Sequence, residues 1–156
     1  MEMDQDAIIR WITTALPRVE TLVASREAGS PEVAWGDTFF FVGPDRRFPF
    51  ATIVTKDYGE FDNASNLDRP GVFRLNVGVS KETYVSLFDP EAEAEHDFAA
   101  LDRLMPHPVY GRSHWVCVLN PTEATFEILM PLLEEAHRRA MARDARSGRP
   151  GRPRLR

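Results

Sequence analysis

The sequence has 156 residues, 43% of them hydrophobic and 28% charged, with a net charge of −5. A chain of this length buries roughly two thirds of its unfolded surface around one core, which excludes wholesale disorder. Its longest apolar runs, Phe39-Phe40-Phe41-Val42 and Trp115-Val116-Cys117-Val118-Leu119, fall far short of the roughly 18 residues that span a bilayer, so no membrane crossing is expected.

The start, Met1-Glu2-Met3-Asp4-Gln5-Asp6, is acidic where a secretory signal is basic, and the cytoplasm is the expected compartment. Cys117 stands alone, which rules out an internal disulfide and a cysteine-based zinc cluster within one chain. Inside an apolar run it reads as a buried, inert thiol. Eight arginines and one acid, Asp144, put +7 on residues 138–156, against −12 on residues 1–137.

In chain order, Asp4 is placed to cap a first helix in which Ala7, Ile8, Trp11, Ile12 and Ala15 recur at helical spacing, and Pro17 stops it. Val19 to Ala24 is short and β-branched enough for a strand, and a loop with Gly29, Ser30 and Pro31 follows. Thr38 to Val42 reads as a buried strand and Gly43-Pro44-Asp45-Arg46 as a turn. Phe48 to Thr55 returns as the partner strand, with Pro49 near its start where a missing N–H is tolerated. After a polar loop to Pro70-Gly71, Val72 to Val79 alternates apolar with polar residues, as a half-buried strand does, so Arg74 and Asn76 share a face.

Ser80 caps a short helix carrying Tyr84, Val85, Leu87 and Phe88, which ends before Asp89-Pro90, and Glu91 to Glu95 reads as a solvated acidic loop. Asp97 is placed to cap another helix, with Phe98, Leu101 and Met105 on its core face and Pro106 beyond its end. Trp115 to Leu119 is the last strand. Asn120-Pro121-Thr122-Glu123 then supplies a cap, a proline in the first turn and an acid three residues on, opening a final helix. Its stripe is Phe126, Leu129, Leu133, Ala136 and Ala140, and Pro131 within it predicts a kink or break after Met130. The order predicts a single α+β domain over residues 1–143, an antiparallel sheet of about five strands with helices packed on one side, followed by a basic tail, 144–156.

Four blocks in this frame, Trp35-Gly36-Asp37-Thr38-Phe39-Phe40-Phe41, Pro49-Phe50-Ala51-Thr52-Ile53-Val54-Thr55-Lys56-Asp57, Arg69-Pro70-Gly71-Val72-Phe73-Arg74-Leu75-Asn76 and His107-Pro108-Val109-Tyr110, resemble the bacterial family catalogued as domain of unknown function 6194, over residues 4–143. That resemblance implies no particular chemistry. The strand pair, the short helix, the His114-Trp115 pair opening a strand and the closing helix are more distantly similar to the YjbR/MmcQ-like proteins. This second resemblance implies a compact fold like that of CyaY and a role in DNA binding, against which the −12 of the body argues.

The densest polar cluster is His96, Asp97, Asp102, His107 and Tyr110. Two imidazoles and two carboxylates are the parts of a general acid/base pair, with His96 or His107 as base and Asp102 as the orienting carboxylate, or of a divalent-metal site holding His96 and His107. Their spacing matches no established metal motif. Asp97 as a cap, His107 bonding backbone before Pro108, and Tyr110 as packing are the structural alternatives. Lys56, Arg74, Asn76 and Tyr110 are candidate ligand contacts, and the two cations suit an anion. The alternative pairs both cations in solvent with Asp57, Asp62 or Asp68. Trp35 could set an indole at a cleft mouth. Ser113 and His114, adjacent on a strand, point to opposite faces and make no nucleophile and base pair.

In the tail, Arg149 and Arg152 lie in Gly-Arg-Pro units, with Arg154 directly after them, that resemble a minor-groove hook, while the same composition suits a disordered solubilising terminus. The leading expectation is a small-molecule-binding or accessory protein without catalysis, its pocket between the Arg74/Asn76 face and the segment His96 to Tyr110. The alternatives are a His/Asp or metal enzyme and nucleic-acid binding through the tail.

Overall fold

Apolar residues in short, turn-bounded segments dictate a sheet, and the first four segments pair in chain order. The computed structural model describes residues 1–44, 46–89 and 95–147. Helix α1 spans Gln5–Ala15, and strands β1 Val19–Val23, β2 Thr38–Val42, β3 Ala51–Val54 and β4 Arg74–Gly78 follow. Helix α2 is Lys81–Leu87, β5 Met105–Pro106, β6 Trp115–Leu119 and α3 Glu123–Ser147. All pairings between strands are antiparallel, in the order β1-β2-β3-β4-β6-β5.

Register fixes which side chains share a face, because alternate residues point to opposite sides. Phe40 lies opposite Ala51, Ala51 opposite Val77 and Val77 opposite Val116; Ile53 lies opposite Leu75 and Leu75 opposite Val118. This face meets Ile8 and Ile12 of α1 and Phe126, Leu129, Leu133, Ala136 and Ala140 of α3 in the main core. Burying each large aliphatic or aromatic side chain there stabilises the fold by roughly 1.5–3 kcal/mol. The opposite face carries Thr52, Val54, Arg74, Asn76, Cys117 and Leu119. Among the described residues the loops around Tyr58, Leu67, Val72 and Phe98 cover it, with Met105 and Leu119 in a second small core.

The predicted helices α1 and α2 begin where their caps place them: Asp4 Oδ1 accepts from the Ala7 N–H at 2.8 Å and Ser80 Oγ from the Thr83 N–H at 3.1 Å. Five expectations need correction. No helix follows Asp97. Its carboxylate accepts from the Ala99 N–H at 3.1 Å in a turn, Leu101 is 48% exposed, Asp102 takes a left-handed φ of 57°, and Met105-Pro106 becomes a sixth strand against β6. Strand β4 is buried on both faces rather than half-buried, since loops cover the side that alternation assigns to solvent. The returning strand is shorter than Phe48 to Thr55, starting only at Ala51. At α3, Thr122 rather than Asn120 caps, its Oγ1 accepting from the Thr125 N–H at 3.3 Å, while Asn120 Oδ1 accepts from the Phe73 N–H at 2.9 Å.

Helix α3 also passes through Pro131 without the predicted break. Pro131 lies on the exposed side together with Glu127, the residue whose carbonyl it leaves without a helical donor, so that carbonyl is open to solvent. No described helix is long and apolar enough to cross a membrane.

Candidate functional site

Arg74 sits mid-sheet, opposite Val54 of β3 and Leu119 of β6, and is fully buried. A guanidinium there needs a carboxylate and a partner for each remaining N–H. The tight turn after β3 supplies the carboxylate. The Tyr58 N–H donates to the Asp62 carbonyl at 2.9 Å and the Phe61 N–H to the Tyr58 carbonyl at 3.1 Å, which turns Asp62 inward and leaves Phe61 outside. Arg74 Nη1 and Nη2 then grip Asp62 at 3.0 and 2.6 Å, a two-point fork. Nη1 also donates to Ser65 Oγ at 2.9 Å, and Nε to Asn76 Oδ1 at 2.8 Å. Asn76 Nδ2 donates across the sheet to Thr52 Oγ1 at 2.9 Å.

His107 closes the group from the segment before β6. Its Nδ1 accepts from the N–H groups of Val109 and Tyr110 at 3.0 and 2.9 Å, and its Nε2 stands 3.1 Å from Arg74 Nη2. Burial, and then the positive charge of Arg74, hold its pKa down at about 3. Nδ1 thus makes the backbone bonds expected of a turn residue, while Nε2 faces Arg74. Tyr110 packs its ring 5.1 Å from that of His107 and 6.0 Å from that of Phe61. Asp37, buried just before β2, accepts from the N–H and hydroxyl of Thr55 at 2.8 and 2.9 Å and from the Tyr58 hydroxyl, which anchors the turn to the hairpin. Burial, followed by the Asp37 carboxylate, raises the Tyr58 pKa.

Above these groups opens a cavity of about 520 Å³. Thr52, Asp62, Arg74, Asn76 and His107 form its floor, and Phe39, Phe48, Tyr58, Phe61, Tyr110 and Trp115 its walls. Phe48, Phe61 and Tyr110 remain 71, 60 and 45% exposed at the rim.

Of the residues singled out in the sequence, Arg74, Asn76, His107 and Tyr110 come together here. Lys56 and Trp35 do not line the cavity: Lys56 donates to the Trp35 carbonyl, and the indole N–H donates to the Ser30 carbonyl at 2.9 Å beneath the Arg26 guanidinium. His96 rests between Phe88 and Phe98, at 6.1 and 5.8 Å between ring centres. Asp102 receives the Thr122 N–H at 2.8 Å, and that bond holds its carboxyl below the usual range. Among the described residues no three His, Cys, Asp or Glu gather as a metal would need. Arg149, Arg152 and Arg154 lie outside the described residues.

Sequence reasoning named Asp62 only as a solvent partner and passed over Asp37, Thr52 and Ser65. Thr52 was accessible from strand pairing, since it faces Asn76 in register. Asp62 and Ser65 lie in an irregular turn that carries no periodic signal.

Fold and site together define an α+β domain with one antiparallel sheet, helices on one face and a polar-floored cavity on the other. Over residues 3–149 the chain matches the family of unknown function DUF6194. It belongs to that family. No characterised protein and no solved structure matches it, so the more distant YjbR/MmcQ-like similarity draws no support from these comparisons.

Proposed function

We propose that the chain binds a small, largely apolar molecule in the cavity over Arg74, as an accessory or carrier protein without catalysis. The observation that carries this reading is a buried ion pair, Arg74 with Asp62, at the floor of a cavity whose rim is exposed aromatic surface. Buried pairs are weak stabilisers compared with apolar packing, so a network of this kind set under an open cavity favours a role in recognition. The volume falls within the range of small-molecule sites, roughly 300–1,000 Å³.

The tuning of nearby groups favours binding over acid/base chemistry. An imidazole with a pKa of about 3 is a weak base at neutral pH. The Tyr58 proton is committed to Asp37, and burial holds the Cys117 thiol at about 12. Trp115 on the cavity wall is a built-in reporter. In a Trp11→Phe/Trp35→Phe variant, titration with pooled small molecules should shift Trp115 emission in at least one pool. The same pool should raise the melting temperature, since ligand at a hundredfold its Kd stabilises by about 2.7 kcal/mol. Silence of both signals across all pools would sink the proposal.

A further inference from the structure

Resting on that reading of the cavity, the hydrogen-bond roles at its floor say what the buried end of the ligand must carry. Arg74 Nε can only donate, so the Asn76 atom 2.8 Å from it is the carbonyl oxygen and Asn76 Nδ2 faces Thr52. Thr52 Oγ1 therefore accepts at 2.9 Å, and no described residue takes its hydroxyl proton.

The same reasoning fixes His107. Two backbone N–H groups, at 3.0 and 2.9 Å, require a lone pair on Nδ1. A neutral ring then has its single proton on Nε2. Nε2 lies 3.1 Å from Arg74 Nη2, which also only donates and has one N–H left after serving Asp62. Two donors face one another, and neither satisfies the other. Buried donors in that state are strongly disfavoured unless something else accepts from them.

Thr52 O–H, His107 Nε2–H and the remaining Arg74 N–H thus border one cavity in need of an acceptor. Charge is already balanced, because Asp62 neutralises Arg74 through both carboxylate oxygens. A carboxylate ligand would add a second negative charge beside Asp62, whereas a carbonyl adds an acceptor alone. We infer that the cavity selects an uncharged carbonyl oxygen carried on a flat apolar body, the oxygen directed at Thr52, Arg74 and His107 and the body held among Phe61, Tyr110 and Trp115.

Four matched probes test this by Trp115 fluorescence and by shifts in the NMR spectrum of the ¹⁵N-labelled protein: 2-acetylnaphthalene, 2-ethylnaphthalene, 2-naphthylmethylamine and 2-naphthoate. The acetyl compound should bind about tenfold more tightly than the ethyl compound or the amine, as one well-made hydrogen bond allows. Thr52→Val should reduce that advantage, read as the ratio of the acetyl and ethyl affinities within the same variant, to about threefold or less. Equal binding of the ethyl compound or the amine would overturn the carbonyl inference and leave the binding site standing. Tightest binding by naphthoate would overturn the uncharged class. If no probe binds, the cavity reading itself loses its support. The ring ¹⁵N shifts of His107 in the free protein then decide the hydrogen-bond assignment separately, and a proton on Nδ1 would overturn it.

Discussion

Arg74 commits four of its five N–H groups to Asp62, Ser65 and Asn76, so its removal strands more than one partner. Arg74→Met leaves the Asp62 carboxylate buried without its cation and should destabilise the fold by about 3–5 kcal/mol in urea unfolding. The charge-free pair Arg74→Met/Asp62→Leu should recover most of that loss, because apolar packing replaces a buried ion pair well. A double variant as unstable as the single would mean that the polar network as a whole, rather than the orphaned charge, determines stability. His107 gives the second prediction at this scale. Its pKa is about 3 in the folded protein against 6.5 ordinarily, so between those values the unfolded chain binds a proton that the folded one refuses. The stability that neutral His107 confers is complete above about pH 6.5 and falls toward pH 3 by up to roughly 1.4 kcal/mol per unit. His107→Gln should flatten the pH profile of stability relative to the wild type over that window. The shared face of Arg74 and Asn76 was legible from alternation alone, but their burial was not, because Asp62 reaches them from a loop whose path depends on Asp37 and Tyr58.

Elements were legible where short β-branched or aromatic runs are bracketed by turn residues, as β2 and β6 are, and their ends fall where the sequence predicts. The segment from Asp97 to Pro106 misled because Phe98, Leu101 and Met105 keep helical spacing while answering to different neighbours. Phe98 and Met105 join the second core, Leu101 bridges Leu119 from an exposed position, and the prolines at 106 and 108 deny the following turns their N–H donors. The Asp97 carboxylate does bond a nearby backbone N–H, that of Ala99, but the bond closes a turn and caps no helix. In α3 the proline lies where its lost bond faces solvent, which is why the helix survives it. Pro131→Ala should restore the bond to the Glu127 carbonyl and raise stability by about 1–3 kcal/mol, measured by thermal unfolding. A loss of stability instead would show that the proline ring contributes packing that outweighs the missing bond.

For the whole molecule, the α+β class and the antiparallel sheet followed from the order of elements, while the cavity did not, since its floor draws on β3, β4, the turn after β3 and the segment before β6. Strand neighbours are consecutive from β1 to β4, but β4 pairs with β6 across residues 79–114. Closing that excursion takes about two more doublings of loop length than closing the β2–β3 hairpin, an entropic difference on the order of 1 kcal/mol. The first four strands are therefore expected to zip together before β6 arrives with His107, so the binding floor is completed late in refolding. A ligand for the cavity has little to grip at the rate-limiting step. In stopped-flow experiments it should leave the refolding rate nearly unchanged and slow unfolding, acting as a latch on the finished protein rather than a template for it. Faster refolding with ligand present would place the 79–114 crossing in the folding nucleus instead.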